Sequence, residues 1–158
     1  EAREPNTVLI GNGFAAMGFG LPAAIAAALA RRGRGKVVCI SGDGGFLMNV
    51  QELETARRLG LPFVCLVWTD GGYGLIEMHQ KRKYGRIAGT RFDNPDLVSL
   101  ARSFGVEGLR AQRAGDVKPL LARALRHPGP VVIEVPIDYG ENDKLAVDLW
   151  QLAPEALS

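Results

Sequence analysis

Apolar positions along this chain follow two rhythms. Unbroken runs at Val37-Val38-Cys39-Ile40, Phe63-Val64-Cys65-Leu66-Val67-Trp68 and Val131-Val132-Ile133-Glu134-Val135-Pro136 predict strands, the middle one covered on both faces. Thr7-Val8-Leu9-Ile10 reads as a further short strand. Between these runs the spacing becomes helical. An Ala-rich helix is expected from about Gly18 to Arg32. Another carries Val50, Leu53, Ala56 and Leu59 on one face, with Asn49 as N-cap, Glu52 completing a capping box and Gly60 ending it. Asn94-Pro95 opens a helix to about Phe104, and Gly115-Asp116 opens one to Arg126. Strands alternating with helices predict an α/β fold, a mainly parallel sheet with helices on both faces in three layers. Ligands in such sheets bind beyond the carboxyl ends of the strands.

Two glycine-rich turns stand at those ends. Gly42-Asp43-Gly44-Gly45 follows the run ending at Ile40, and Asp70-Gly71-Gly72-Tyr73-Gly74 follows the run ending at Trp68. Each alone reads as a turn with a routine aspartate. Together they differ, because the two acids are 27 residues apart, the length of one α–β unit, which brings successive strand ends side by side. Two carboxylates and a turn carbonyl make a hard oxygen site suited to Mg2+, which completes its shell with water and phosphate oxygens. The N–H groups of Gly44 and Gly45, beside a helix start, suit a diphosphate.

Composition narrows the classes. The chain has 158 residues, 47% hydrophobic and 23% charged, which suits one soluble domain with a sizeable core. A net charge of +2 does not point to nucleic acid, and the run Lys81-Arg82-Lys83-Tyr84-Gly85-Arg86 reads as a solvated helix face or subunit contact. Leu21 to Ala30 is too short to span a bilayer. Cys39 and Cys65 lie in apolar runs and read as buried thiols, which suits a reducing, cytoplasmic compartment. His127 is given no role.

The paired turns resemble the signature of thiamine diphosphate-dependent enzymes, a GDG turn followed some 25 to 30 residues later by Asn or Asp. The stretch GDGGFLMNVQELETARRLGLPFVCLVWTDGGYGLIEM is similar to the carboxy-terminal, diphosphate-binding domain of the acetolactate synthase group, and GPVVIEVPIDYGEN resembles that domain's last strand. The resemblance runs from about Val8 to Leu145. It implies that Asp43, Asp70 and the Gly72 carbonyl ligate Mg2+. It implies that Gly42, Gly44, Gly45, Tyr73 and Gly74 form the cradle of the diphosphate. Met17, in GNGFAAMG, matches the residue that props the cofactor in its bent form, and the Ala15 carbonyl matches the acceptor of its aminopyrimidine. The resemblance further implies that Leu75 and Ile76 wall the substrate pocket and that His79 stands near the substrate. Thr69 and Gly71 depart from the pattern, where asparagines are common, and Gly71 is expected to loosen the second turn.

The implied activity is decarboxylation and carboligation of 2-oxo acids, foremost two pyruvates to 2-acetolactate and CO2. Benzoylformate-, pyruvate- or indolepyruvate-decarboxylase-like enzymes and glyoxylate carboligase are the alternatives. Residues 1–158 are then one domain, the carboxy-terminal part of a larger enzyme or a small subunit. The activating glutamate is expected on a pyrimidine-binding partner domain, in a homodimer or homotetramer. A rival reading comes from Gly11, Gly13 and Ala16, which fit a G-x-G-x-x-A dinucleotide fingerprint if a strand precedes them and a helix follows, making the chain an NAD-binding module.

Overall fold

The computed structural model describes Pro5 and residues 7–31 and 33–140. In chain order the elements are α1 (Gly20–Arg31), β1 (Val37–Gly42), α2 (Asp43–Leu47), α3 (Glu52–Arg58), β2 (Phe63–Thr69), α4 (Gly74–Tyr84), α5 (Leu97–Ser103), β3 (Glu107–Arg110), α6 (Val117–Arg126) and β4 (Val131–Pro136). The four strands form one sheet in the order β1-β2-β4-β3, and every pairing is parallel.

β2 lies between β1 and β4, and its alternate side chains feed two cores. Phe63, Cys65 and Val67 face α1, α2, α3 and α5, packing with Leu21, Phe46, Leu53 and Leu97. Val64 and Leu66 face the other way, with Ile133 and Ala124, under α6. This is why β2 is apolar at each of its first six positions, and it gives the three-layer α/β arrangement expected from the run pattern. The second face is less completely covered at the β1 side. Val38 and Ile40, in register with Val64 and Leu66, stay 43% and 57% exposed, and Trp68 is 44% exposed.

Local chemistry explains several boundaries. α5 starts at an N-cap, but the cap is Asp96, whose side chain accepts from the Ser99 N–H at 2.6 Å, and not Asn94. α4 stops at Gly85, in the left-handed region at φ 67°. Lys36 Nζ closes the end of α6, donating to the carbonyls of Ala124, at 2.8 Å, and His127.

Four expectations change. Residues 7–10 are not a strand in the described structure, and Val8, Leu9 and Ile10 are exposed. Asn49 caps no helix. It sits in a turn, and its amide donates to the carbonyl of Gly18, a residue at φ 87°, at 2.9 Å. α2 was unforeseen, since its sequence Asp-Gly-Gly-Phe-Leu has poor helix propensity, but burial of Phe46 stabilises it. β3 was also missed; it is a four-residue edge strand with polar ends. The apolar stretch 145–152, expected to pack on a neighbour, lies outside the described residues.

Candidate functional site

The carboxyl ends of β1 and β2 are in register, Gly42 opposite Trp68, so the two acidic turns emerge side by side. Asp43 is the first residue of α2 and is 2% exposed. Phe46, fully buried three residues on, fixes α2 to the core and with it the position of Asp43. The carboxylate is densely bonded. Oδ1 accepts from the Gly44 N–H at 2.8 Å. Oδ2 accepts from the Asp70 N–H at 3.2 Å, the Gly71 N–H at 2.9 Å and Asn94 Nδ2 at 2.6 Å. The first acidic turn thus fastens the second to itself.

Gly71 does not loosen that turn. At φ 67° it adopts a conformation that L side chains rarely take, which aims its N–H at Asp43, and its carbonyl accepts from the Phe92 N–H at 3.1 Å. The Gly44 N–H, expected to be free for an anion, is engaged by Asp43.

Asp70 is held above the usual carboxylate range, chiefly by burial and next by the charge of Asp43, with Arg91 opposing. A carboxylate whose ionisation is opposed by a neighbouring carboxylate suits a cation beside it. Among the described residues no group of three His, Cys, Asp or Glu side chains gathers to hold a metal unaided. The donor set is all oxygen and short of a full shell. That fits Mg2+, which takes one or two carboxylates and completes its octahedron with phosphate and water, and it does not fit a caged transition metal.

The turns open into a cleft of about 1080 Å³. Of the residues singled out from sequence, Ala15, Met17, Gly42, Asp43, Gly44, Gly45, Asp70, Gly72, Tyr73, Gly74, Leu75 and Ile76 all line it. His79 does not; it is exposed on α4. The cleft floor is tight at Gly44 and Gly74, though open at Gly42. A Cβ on Gly44 would stand 2.6 Å from Tyr73 Cε1 and 3.3 Å from Met17 Cε, and one on Gly74 would stand 3.0 Å from the Tyr139 ring. Tyr73 leans in turn on Phe92, ring centroids 5.0 Å apart. Ala15 has φ 46°, strained for a residue with a side chain, and its N–H donates to the Gly11 carbonyl at 2.8 Å.

A strap of residues 88–94 closes over the second turn and went unnoticed in the sequence. The Thr90 carbonyl accepts from the Tyr73 N–H at 3.0 Å. Arg91 pairs with buried Glu77 at 2.6 Å and donates to the Asp70 carbonyl at 3.1 Å, while Thr90 Oγ1 donates to the other Glu77 oxygen at 2.9 Å. Asn94 completes it. Its Nδ2 serves Asp43, and its Oδ1 is buried without a hydrogen-bond partner, an arrangement that costs about 1–3 kcal/mol. Tyr139, also missed, lines the cleft, and its hydroxyl is pushed above the ordinary range by burial and by Asp70 and Asp43.

The dinucleotide reading loses its context here. No described strand precedes Gly11, and α1 begins at Gly20, beyond the fingerprint.

Comparison with known proteins agrees with this geometry. Over 145 residues the chain is 45% identical to the acetolactate synthase of Bacillus subtilis (strain 168), a match covering 92% of this chain and 25% of that one. It is 41% identical over 138 residues to the catabolic acetolactate synthase of Raoultella terrigena, covering 87% and 24%. The chain therefore spans about a quarter of the length of these relatives. Among solved structures, benzoylformate decarboxylase from Polynucleobacter necessarius superposes with a TM-score of 0.73 at 28% identity, over 78% of this chain and 24% of that one. The family model "Thiamine pyrophosphate enzyme, C-terminal TPP binding domain" matches residues 1–135, and the chain belongs to that family.

Proposed function

We propose that this chain supplies the diphosphate- and Mg2+-binding half of a site that decarboxylates and joins 2-oxo acids, with acetolactate formation from two pyruvates as its reaction. The observation that carries this is the side-by-side emergence of Asp43 and Asp70 at the floor of one cleft. The names of the relatives support the choice of reaction.

In this reading Asp43, Asp70 and the Gly72 carbonyl hold the cation. Gly42, Gly44, Gly45, Tyr73 and Gly74 line the diphosphate, with no side chain at four of these five positions to keep it away. Met17, partly exposed at the cleft, would support the bound cofactor's rings, and the carbonyl of Ala15 would accept from its aminopyrimidine. Leu75 and Ile76, exposed at the mouth, wall the substrate and exclude water from it. When bound, thiamine diphosphate supplies the electron sink that accepts the pair left by departing CO2. The acid that activates it comes from a pyrimidine-binding domain, in the same or another subunit of a homodimer or homotetramer in the cytoplasm. None of the described helices is long and apolar enough to cross a membrane.

The test is a thermal shift on the assembled enzyme. Thiamine diphosphate with Mg2+ should raise the melting temperature, by an amount equivalent to about 2.7 kcal/mol at one hundred times Kd. NAD should leave it unchanged, and Asp43→Ala should abolish the shift. A shift that persists in Asp43→Ala would overturn the site. A benzoylformate-decarboxylase-like activity is the second reading, favoured by the structural likeness. Turnover of an aryl 2-oxo acid in place of pyruvate would select it.

A further inference from the structure

Asn94 does not line the cleft, yet among the described residues it is the one side chain that donates to Asp43. We propose that Asn94 is a positioning residue that confines Asp43 to ligation of the cation through a single oxygen, and so sets the site's preference for Mg2+ over a larger cation. This rests on the metal role proposed for Asp43.

The two oxygens of Asp43 are unequal. Oδ2 accepts three hydrogen bonds, from the Asp70 and Gly71 N–H groups and from Asn94. A cation approaching Oδ2 would meet three donors pointing the same way. Oδ1 accepts one, from its own neighbour Gly44, and keeps a lone pair for a metal. Two of the Oδ2 donors are main-chain groups. The third, and the shortest at 2.6 Å, depends on the residue type at position 94.

The orientation of Asn94 is set by this contact. Turning the amide over would bring its oxygen against a carboxylate oxygen, and in the observed orientation Oδ1 is left buried and unpartnered. Helix initiation does not need the side chain either, because Asp96 caps α5. Mg2+ takes one oxygen per carboxylate in a near-ideal octahedron, whereas Ca2+ is larger, tolerates irregular shells and often takes both oxygens. Removing Asn94 takes from Oδ2 the shortest of its three donors, leaves only the two main-chain N–H groups on it, and so relaxes the site toward Ca2+.

The experiment measures thiamine diphosphate affinity by calorimetry on the assembled enzyme, with Mg2+ or Ca2+ as the sole divalent cation, for the native protein, Asn94→Ala and Asn94→Ser. In Asn94→Ala the Mg2+-supported affinity should fall about 10–100-fold, as loss of a group that orients a metal ligand does. The Ca2+-supported affinity should fall less than about threefold, because bidentate ligation compensates. Asn94→Ser, with a shorter donor, should lie between. Parallel losses with both cations, no loss with either, or failure of both variants to fold would make Asn94 merely structural and overturn the proposal. Absence of cation-dependent binding in the native protein would overturn the metal reading itself, and this inference with it.

Discussion

Gly44 and Tyr73 are in contact across the two turns, so close that a single added methyl on Gly44 would lie 2.6 Å from Tyr73 Cε1. The ring cannot simply retreat, since Phe92 packs on it. Gly44→Ala should therefore destabilise the fold by about 1–3 kcal/mol, the usual range for overpacking. Denaturant unfolding of Gly44→Ala, Tyr73→Leu and the double variant tests the cause. The double variant should recover most of the loss, and simple additivity would show that Tyr73 is not what Gly44 accommodates.

Gly60 and Gly71 separate backbone strain from site geometry. Both have positive φ, 61° and 67°, but a Cβ on Gly60 would meet nothing within 4 Å, while one on Gly71 would lie 3.1 Å from the Phe92 carbonyl oxygen. Gly60→Ala should cost about 1 kcal/mol of stability and leave cofactor affinity alone. Gly71→Ala should cost more and should weaken thiamine diphosphate binding, because it disturbs the N–H that holds Asp43 Oδ2. Equal effects on binding would remove Gly71 from the site.

Glu77 and Glu54 are both paired with arginine, but only Glu77 is buried. Glu54→Gln, on an exposed i,i+4 pair, should change stability by no more than about 0.5 kcal/mol. Glu77→Gln weakens the bonds to Arg91 and Thr90 together and should cost about 1–2 kcal/mol, the loss being moderated by the exposure of Arg91. Hydrogen exchange should show faster opening of residues 88–94 in Glu77→Gln only.

Asp96 gives the fold a pH signature. The Ser99 N–H, followed by the Arg110 guanidinium, holds its carboxyl down at about 2. A depressed folded value stabilises above the unfolded value, near ~3.9, and that stability is lost as pH falls through the folded one. The difference in melting temperature between the native protein and Asp96→Ala should hence be constant above about pH 5 and shrink progressively between about pH 4 and pH 2. A difference that persists unchanged at pH 2 would show that the cap does not act through its charge.

Legibility in the sequence followed burial. β2 could be read because both its faces are covered, which removes any polar alternation to confuse the pattern. The pairing of Asp43 with Asp70 could be read because their separation equals one α–β unit and both follow such runs. β3 could not, since an edge strand of four residues carries too few buried positions to show a period. Asn94 and Asp96 compete for one cap in the same short stretch, and which side chain turns back to the helix depends on the position of Asp43, 51 residues earlier in the chain. The strap at 88–94 is joined to the second turn largely by main-chain bonds, which leave no trace in residue type.

The exposed flank of β1 bears on how this chain behaves as a material. Among the described residues β1 is the outermost strand on its side, with one row of main-chain groups unpaired, and Val38, Ile40 and Trp68 form an oily strip beside it. An open, apolar edge of this kind is a template for other edges. Handled in isolation, the chain should behave as a sticky colloid, with sedimentation coefficients that climb with concentration and material lost on surfaces and filters. Ile40→Lys, which places a charge on the strip where it borders the cleft, should keep it dispersed.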